Sequence, residues 1–118
     1  MTVPGHRHER IAEEIHHEIS IMVVGELKDP RIAGLVTVTE VRVTPDLKQA
    51  RIFVSVMGTD AEQASTLQGL AAAAGFVRRE LTQRLGLRRV PELFWILDKS
   101  EEYGERIEGL LRQMKKNE

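Results

Sequence analysis

The stretch AAAAGFVRRELTQRLGLRR, residues 71–89, decides how the rest of the chain is read. Four alanines are strong helix formers, whereas the glycine after them costs a helix interior about 1 kcal/mol relative to alanine. That glycine, directly after a run of small residues, predicts two helices meeting at a tight bend, Ala73-Ala74-Gly75, with room for close helix packing. Beyond the bend, at 100° per residue, Val77, Leu81 and Leu85 share one face. Arg78, Arg79, Thr82 and Gln83 take the opposite arc, Arg84 sits at the border, and Arg88 and Arg89 follow Gly86. Between Phe76 and Val90 there are five arginines and one glutamate, a balance of +4 in a chain whose net charge is −1. The positive charge is gathered here.

Working upstream, Gly58-Thr59-Asp60 offers an N-cap to the first of the two helices, whose Ala61, Ala64, Leu67 and Ala71 make a narrow small-residue stripe. Two runs precede it and read as strands, a valine- and threonine-rich one at about 35–43 and an alternating one at 50–57. In the second, Ala50, Ile52, Val54 and Val56 alternate with Arg51, Phe53, Ser55 and Met57. The link between them, Thr44-Pro45-Asp46-Leu47-Lys48, has the chemistry of a turn, because proline presets one dihedral and aspartate caps the next. Before the strands lies a connector, residues 25–34, with Asp29-Pro30 at its centre. From about Arg7 to Glu26, Ile11, Ile15, Ile19 and Met22 or Val23 recur at helical spacing, with Glu13, Glu14, His17 and Glu18 on the other side.

Downstream, Val90-Pro91 ends the helical stretch and the run LFWIL, within a third strand at 91–97, suits a buried position. Asp98-Lys99-Ser100-Glu101 caps a final helix carrying Tyr103, Ile107, Leu110, Leu111 and Met114. The predicted order is helix, strand, strand, helix, helix, strand, helix. This is an α+β chain with a three-stranded mixed sheet covered by helices on one face, and it matches a type II KH domain. Residues 7–114 form that domain, between a disordered start at 1–6 and a short tail at 115–118.

At 118 residues the chain is one domain, large enough to bury roughly two-thirds of its unfolded surface without staples. It has no cysteine, which excludes disulfides, thiolate metal sites and cysteine nucleophiles, and fits a reducing cytoplasm. No apolar run approaches the length of a membrane span. The near-neutral total argues against indiscriminate coating of nucleic acid, yet screening over about 8 Å lets a local basic patch act by itself.

Taken together, RIAEEIHHEIS, ELKDPRIAGLVTVTEVRVTPDLKQARIFVSV, AAAAGFVRRELTQRLGLRRVPEL and FWILDKS, in this order and spacing, resemble the ribosome-binding factor A family over about residues 7–112. The resemblance implies a non-enzymatic factor, expected in the cytoplasm without cofactors, and a monomer is expected because no large apolar stripe is left over once the core is filled. Its partners would be the free, immature 30S subunit with its 16S rRNA, and other small-subunit assembly factors. It also implies support of late 16S rRNA maturation, including the 5′ end, and a link to growth in the cold. An RNA-binding KH domain carries a GxxG turn against which the nucleic-acid backbone lies. Here Ala73-Ala74-Gly75 replaces it, which moves the expected RNA contact to the basic helix.

Arginine suits bidentate phosphate contacts better than lysine does. Arg78, Arg79, Arg84, Arg88 and Arg89 are therefore the main candidate RNA-binding residues, with Lys28, Arg31 and Arg51 as additions. Arg42 and Lys48 are weaker candidates, because Glu40 and Asp46 sit among them. The ordinary alternative is a solvated helix face. His6, His8, His16 and His17 read as surface histidines: the last two are about 100° apart on a helix, and no cysteine or aspartate completes a metal set. No serine has a nucleophile-elbow context and no glycine loop suits a phosphate. The competing function is a KH-like protein-interaction module, with Glu13, Glu14 and Glu18 as its surface.

Overall fold

A computed structural model describes residues 6–32, 36–99 and 109–114. Most of the expected disordered start, the expected tail at 115–118, and residues 100–108 of the expected final helix lie outside the described residues. Helix α1 (Arg7–Gly25) buries Ile11, Ala12, Ile15, Ile19 and Met22, the face that the spacing selects. A single 3-10 turn (Pro30–Ile32) follows and buries Ile32.

The sheet has the order β1-β2-β3. Strands β1 (Val36–Val43) and β2 (Gln49–Val56) run antiparallel, from Val43 opposite Ala50 to Val36 opposite Val56. The register slips between Val38 and Glu40, a bulge that lets Val38 and Val41 both point inward. Strand β3 (Glu92–Leu97) lies parallel to β2, with Ala50 opposite Leu93 and Val54 opposite Leu97. A parallel neighbour needs a crossover, and helices α2 (Asp60–Ala72) and α3 (Ala74–Leu85) supply it. Ala50, Ile52 and Val54 of β2 are fully buried against Ile15, Ile19, Leu70, Val77 and Leu81 from the three helices. Arg51, Phe53 and Phe94 lie on the other face, which is partly open.

Two local expectations are corrected. The buried face of α2 is Gln63, Thr66, Gly69 and Leu70, while Ala61, Ala64 and Ala71 are exposed. Polar side chains can face inward because backbone acceptors meet them: Gln63 Nε2 donates to Val56 O at 3.0 Å, and Thr66 Oγ1 donates to Arg31 O at 3.1 Å. The close approach sits at Gly69 and not at Gly75. A Cβ on Gly69 would stand 2.8 Å from Ile32 Cγ1 and 3.1 Å from Arg31 Cβ, whereas one on Gly75 would meet nothing within 4 Å. The α2–α3 break itself falls at Ala73, whose N–H still reaches Gly69 O at 3.0 Å.

Thr59 caps α2 as expected, accepting from Glu62 N at 3.2 Å while Glu62 returns a carboxylate to Thr59 N. At the other end of the chain, residues 109–114 are helical, with Leu110, Leu111 and Met114 exposed. Asp98 does more than precede that helix. Its N–H donates to Val54 O at 2.7 Å and its carboxylate accepts from Thr39 Oγ1 at 2.6 Å, tying the end of β3 to the bulge in β1.

Candidate nucleic-acid interface

Helix α3 is fixed by its apolar side and presents its charges on the other. Val77 and Leu81 are fully buried. Gly86 then ends the helix in the left-handed conformation, φ 63°, with its N–H on Thr82 O at 3.0 Å. The chain turns back over the helix to buried Val90 and Pro91. Arg78 fastens this return, because its Nη2 donates to Val90 O at 3.1 Å. Arg88 and Arg89 are thereby brought over the same depression as Arg78 and Arg79. That depression, about 440 Å³, is lined by these four arginines with Gly75 and Thr82, and by no carboxylate. All four arginines are exposed.

Arg84 is held elsewhere. Its Nη1 donates to Glu18 Oε2 at 3.2 Å and its Nη2 to Glu26 Oε1 at 2.6 Å, with Glu80 at 3.8 Å one turn back. The hydrogen bond to Glu26 above all raises the guanidinium pKa further. Arg84 therefore joins α3 to α1, and it draws the stretch's one glutamate to that side as well. Glu18, expected on an open acidic face, is half-buried in this contact, whereas Glu13 and Glu14 are exposed.

The additional candidates are scattered. Lys28 is exposed in the connector. Arg31 grips Asp29 through Nη2–Oδ2 at 2.7 Å and Nε–Oδ1 at 3.0 Å, and its backbone N–H adds a third bond at 2.9 Å. The side-chain bond first, and the backbone bond second, hold the Asp29 carboxyl down at about 2. Arg51 stands on the open sheet face, in a separate depression beside Phe94. None of the three lines the four-arginine depression.

Among the described residues no group of three or more His, Asp or Glu side chains could hold a metal ion. His16 departs from the expected surface role: it is half-buried and its Nε2 lies 2.9 Å from Val38 O. A carbonyl only accepts, so that nitrogen carries the hydrogen, and the ring links α1 to β1. Also among the described residues, no helix is long and apolar enough to cross a membrane.

The four-arginine surface stands on a helix–strand–strand–helix–helix–strand scaffold, and comparison with known proteins identifies the scaffold's family. The family model described as "Ribosome-binding factor A" matches residues 7–111. The chain belongs to the ribosome-binding factor A family. A relative of that name from Acetivibrio thermocellus is 50% identical over 107 residues, covering 91% of this chain and 87% of the relative. The solution structure of a putative ribosome binding factor A from Thermotoga maritima is similar at a TM-score of 0.65 and 29% identity. That match covers 80% of this chain and 90% of the other. A Thermus thermophilus family member, fitted as a homology model into a cryo-EM map of a 30S complex, superposes at a TM-score of 0.58. It is 24% identical, over 81% of this chain and 96% of the other, so it speaks to the fold. Ala73-Ala74-Gly75 stands at the inter-helix turn, where Gly75 is exposed and a Cβ on it would meet nothing within 4 Å.

Sequence reasoning missed Arg7, which comes from the other end of the chain to the far side of the same arginine loop. No local signal could have found it, since only the packing of α1 against α3 brings the two together.

Proposed function

We propose that this protein is a non-enzymatic, cytoplasmic assembly factor that binds the free, immature 30S subunit through 16S rRNA. Arg78, Arg79, Arg88 and Arg89 form its principal phosphate-contacting surface. The observation that carries this reading is the depression lined by those four arginines with no carboxylate in its wall. Four exposed like charges held together repel one another, and phosphates relieve that repulsion while releasing counterions. Family membership and the 30S complex of a Thermus thermophilus relative support the same partner. Lys28, Arg31 and Arg51 contribute at most secondary contacts, and Arg84 serves the fold.

The finer parts of the proposal are late 16S rRNA maturation, including the 5′ end, and a role in cold growth. Depletion of the protein should then accumulate 16S precursors with extended 5′ ends, more so at low temperature. The direct test is sedimentation of the purified protein with free small subunits and with complete ribosomes. Co-migration with the free subunits alone is expected. Absence from both at low salt removes the proposal.

A further inference from the structure

The four-arginine depression is one flank of a longer groove. Arg78, Arg88, Arg89 and Val90 line it, and they equally line a second cavity of about 680 Å³ on the other side of the loop. Arg7 from the first turn of α1 and Lys48 from the β1–β2 turn complete a rim of five cations. Two carboxylates, Asp46 and Glu92, also line it. That of Asp46 is occupied, accepting from Thr44 Oγ1 at 2.6 Å and from Lys48 N at 3.1 Å. Unlike the first depression, this cavity has an apolar interior: buried Ile11, Val90 and Pro91 form its floor, and half-buried Leu47 and Leu87 stand in its walls.

Leu47 is held there by an unfavourable backbone. Its φ is 62°, the one positive φ outside glycine among the described residues. Leucine rarely takes this conformation, which glycine, asparagine or aspartate would adopt with less strain. The turn enforces it: Leu47 N–H donates to Thr44 O at 2.8 Å and Thr44 N–H to Gln49 O at 2.9 Å. The strained turn thus keeps a large apolar side chain at the edge of the core and in the wall of a cation-rimmed cavity, a placement of the kind found at binding sites.

Resting on the RNA-binding reading above, we propose that this second cavity takes one unpaired nucleotide of the bound RNA. The base lies between Leu47 and Leu87, and its flanking phosphates lie on the cationic rim. Paired bases are stacked inside a helix and offer no face to such walls, so the cavity selects single-stranded or bulged RNA. The volume suits a nucleotide, falling inside the usual range of about 300–1,000 Å³ for ligand sites.

The test uses the full-length protein and two RNA hexamers of equal charge, hexauridine and the same oligomer with its central bases removed. The parent should bind hexauridine about tenfold more tightly than the abasic oligomer, a ratio reached by roughly one buried base. Leu47→Asn keeps a residue suited to the turn, and Leu87→Ala leaves the turn untouched. Each should abolish that ratio while leaving the salt dependence as it was. The parent's amide spectrum gives a reading that needs no variant: Leu47 and Leu87 signals should shift with hexauridine and stay in place with the abasic oligomer. Equal, salt-sensitive binding of both oligomers would overturn the base site and leave the arginine surface standing. Binding of neither would overturn the two together.

Discussion

Arg84 of α3 and Glu26 at the end of α1 meet at 2.6 Å, across 58 residues of sequence. With Glu18 at 3.2 Å on the same guanidinium, this contact orients the helix that carries the basic surface. One arginine of the cluster thus positions the others.

Replacing it should separate fold from binding. Arg84→Ala should lower the urea midpoint, because two carboxylates on α1 lose their partner. The salt dependence of RNA binding should keep its slope, since no phosphate contact is lost. A slope shallower by about one unit would make Arg84 a phosphate contact instead.

The two glycines of the crossover should respond in opposite directions. Gly75→Ala gains helix propensity in open space and should stabilise by up to about 1 kcal/mol. Gly69→Ala drives a methyl to 2.8 Å from Ile32 Cγ1, and the overpacking should cost about 1–3 kcal/mol. Equilibrium unfolding in urea measures both. A stabilising Gly69→Ala would mean that the Pro30–Ile32 turn yields freely.

That contrast shows what the sequence could reveal. The strand alternation Ala50-Ile52-Val54-Val56 and the helical repeat Ile11-Ile15-Ile19-Met22 are local periodicities, and the structure follows both. On α2 small size does not mark burial, since Ala61, Ala64 and Ala71 are exposed. The buried positions are Gln63 and Thr66, made tolerable by acceptors on Val56 and Arg31 that are distant in sequence. In the same way the charge count found the five arginines, but only the fold separates Arg84 from the other four. Arg7, at the opposite end of the chain, carries no mark of its place in the groove.

The cap of α2 offers a simpler check. Thr59→Ala removes the acceptor for Glu62 N and should destabilise by about 1 kcal/mol in urea unfolding. No change would mean that the Glu62 carboxylate alone holds the first turn.

The Asp29–Arg31 clip sets a pH dependence. The Asp29 pKa is lowered from 3.8 to about 2, so the folded state favours the charged carboxylate. Its contribution is present in full above the unfolded value and is lost as pH falls through about 2. Carboxyl NMR titration should place the Asp29 midpoint near 2. The stability gap between parent and Asp29→Asn should be constant near neutrality and close between about pH 4 and 2. A midpoint near 4 would show the clip open in solution.

The central claim is that Arg78, Arg79, Arg88 and Arg89 contact rRNA phosphates. The most direct measurement is the salt dependence of small-subunit binding for the parent and for Arg79→Ala/Arg89→Ala, which spares the Arg78 bond to Val90 O, with Glu13→Gln/Glu14→Gln as control. Both pairs are exposed, so the core should be untouched. The arginine variant should bind more weakly, with a slope of log affinity against log salt shallower by about two units, roughly one per lost contact. The glutamate variant should match the parent. A folded arginine variant that binds with the parent's affinity and slope would contradict the account, and failure of the glutamate variant would move the interface to α1.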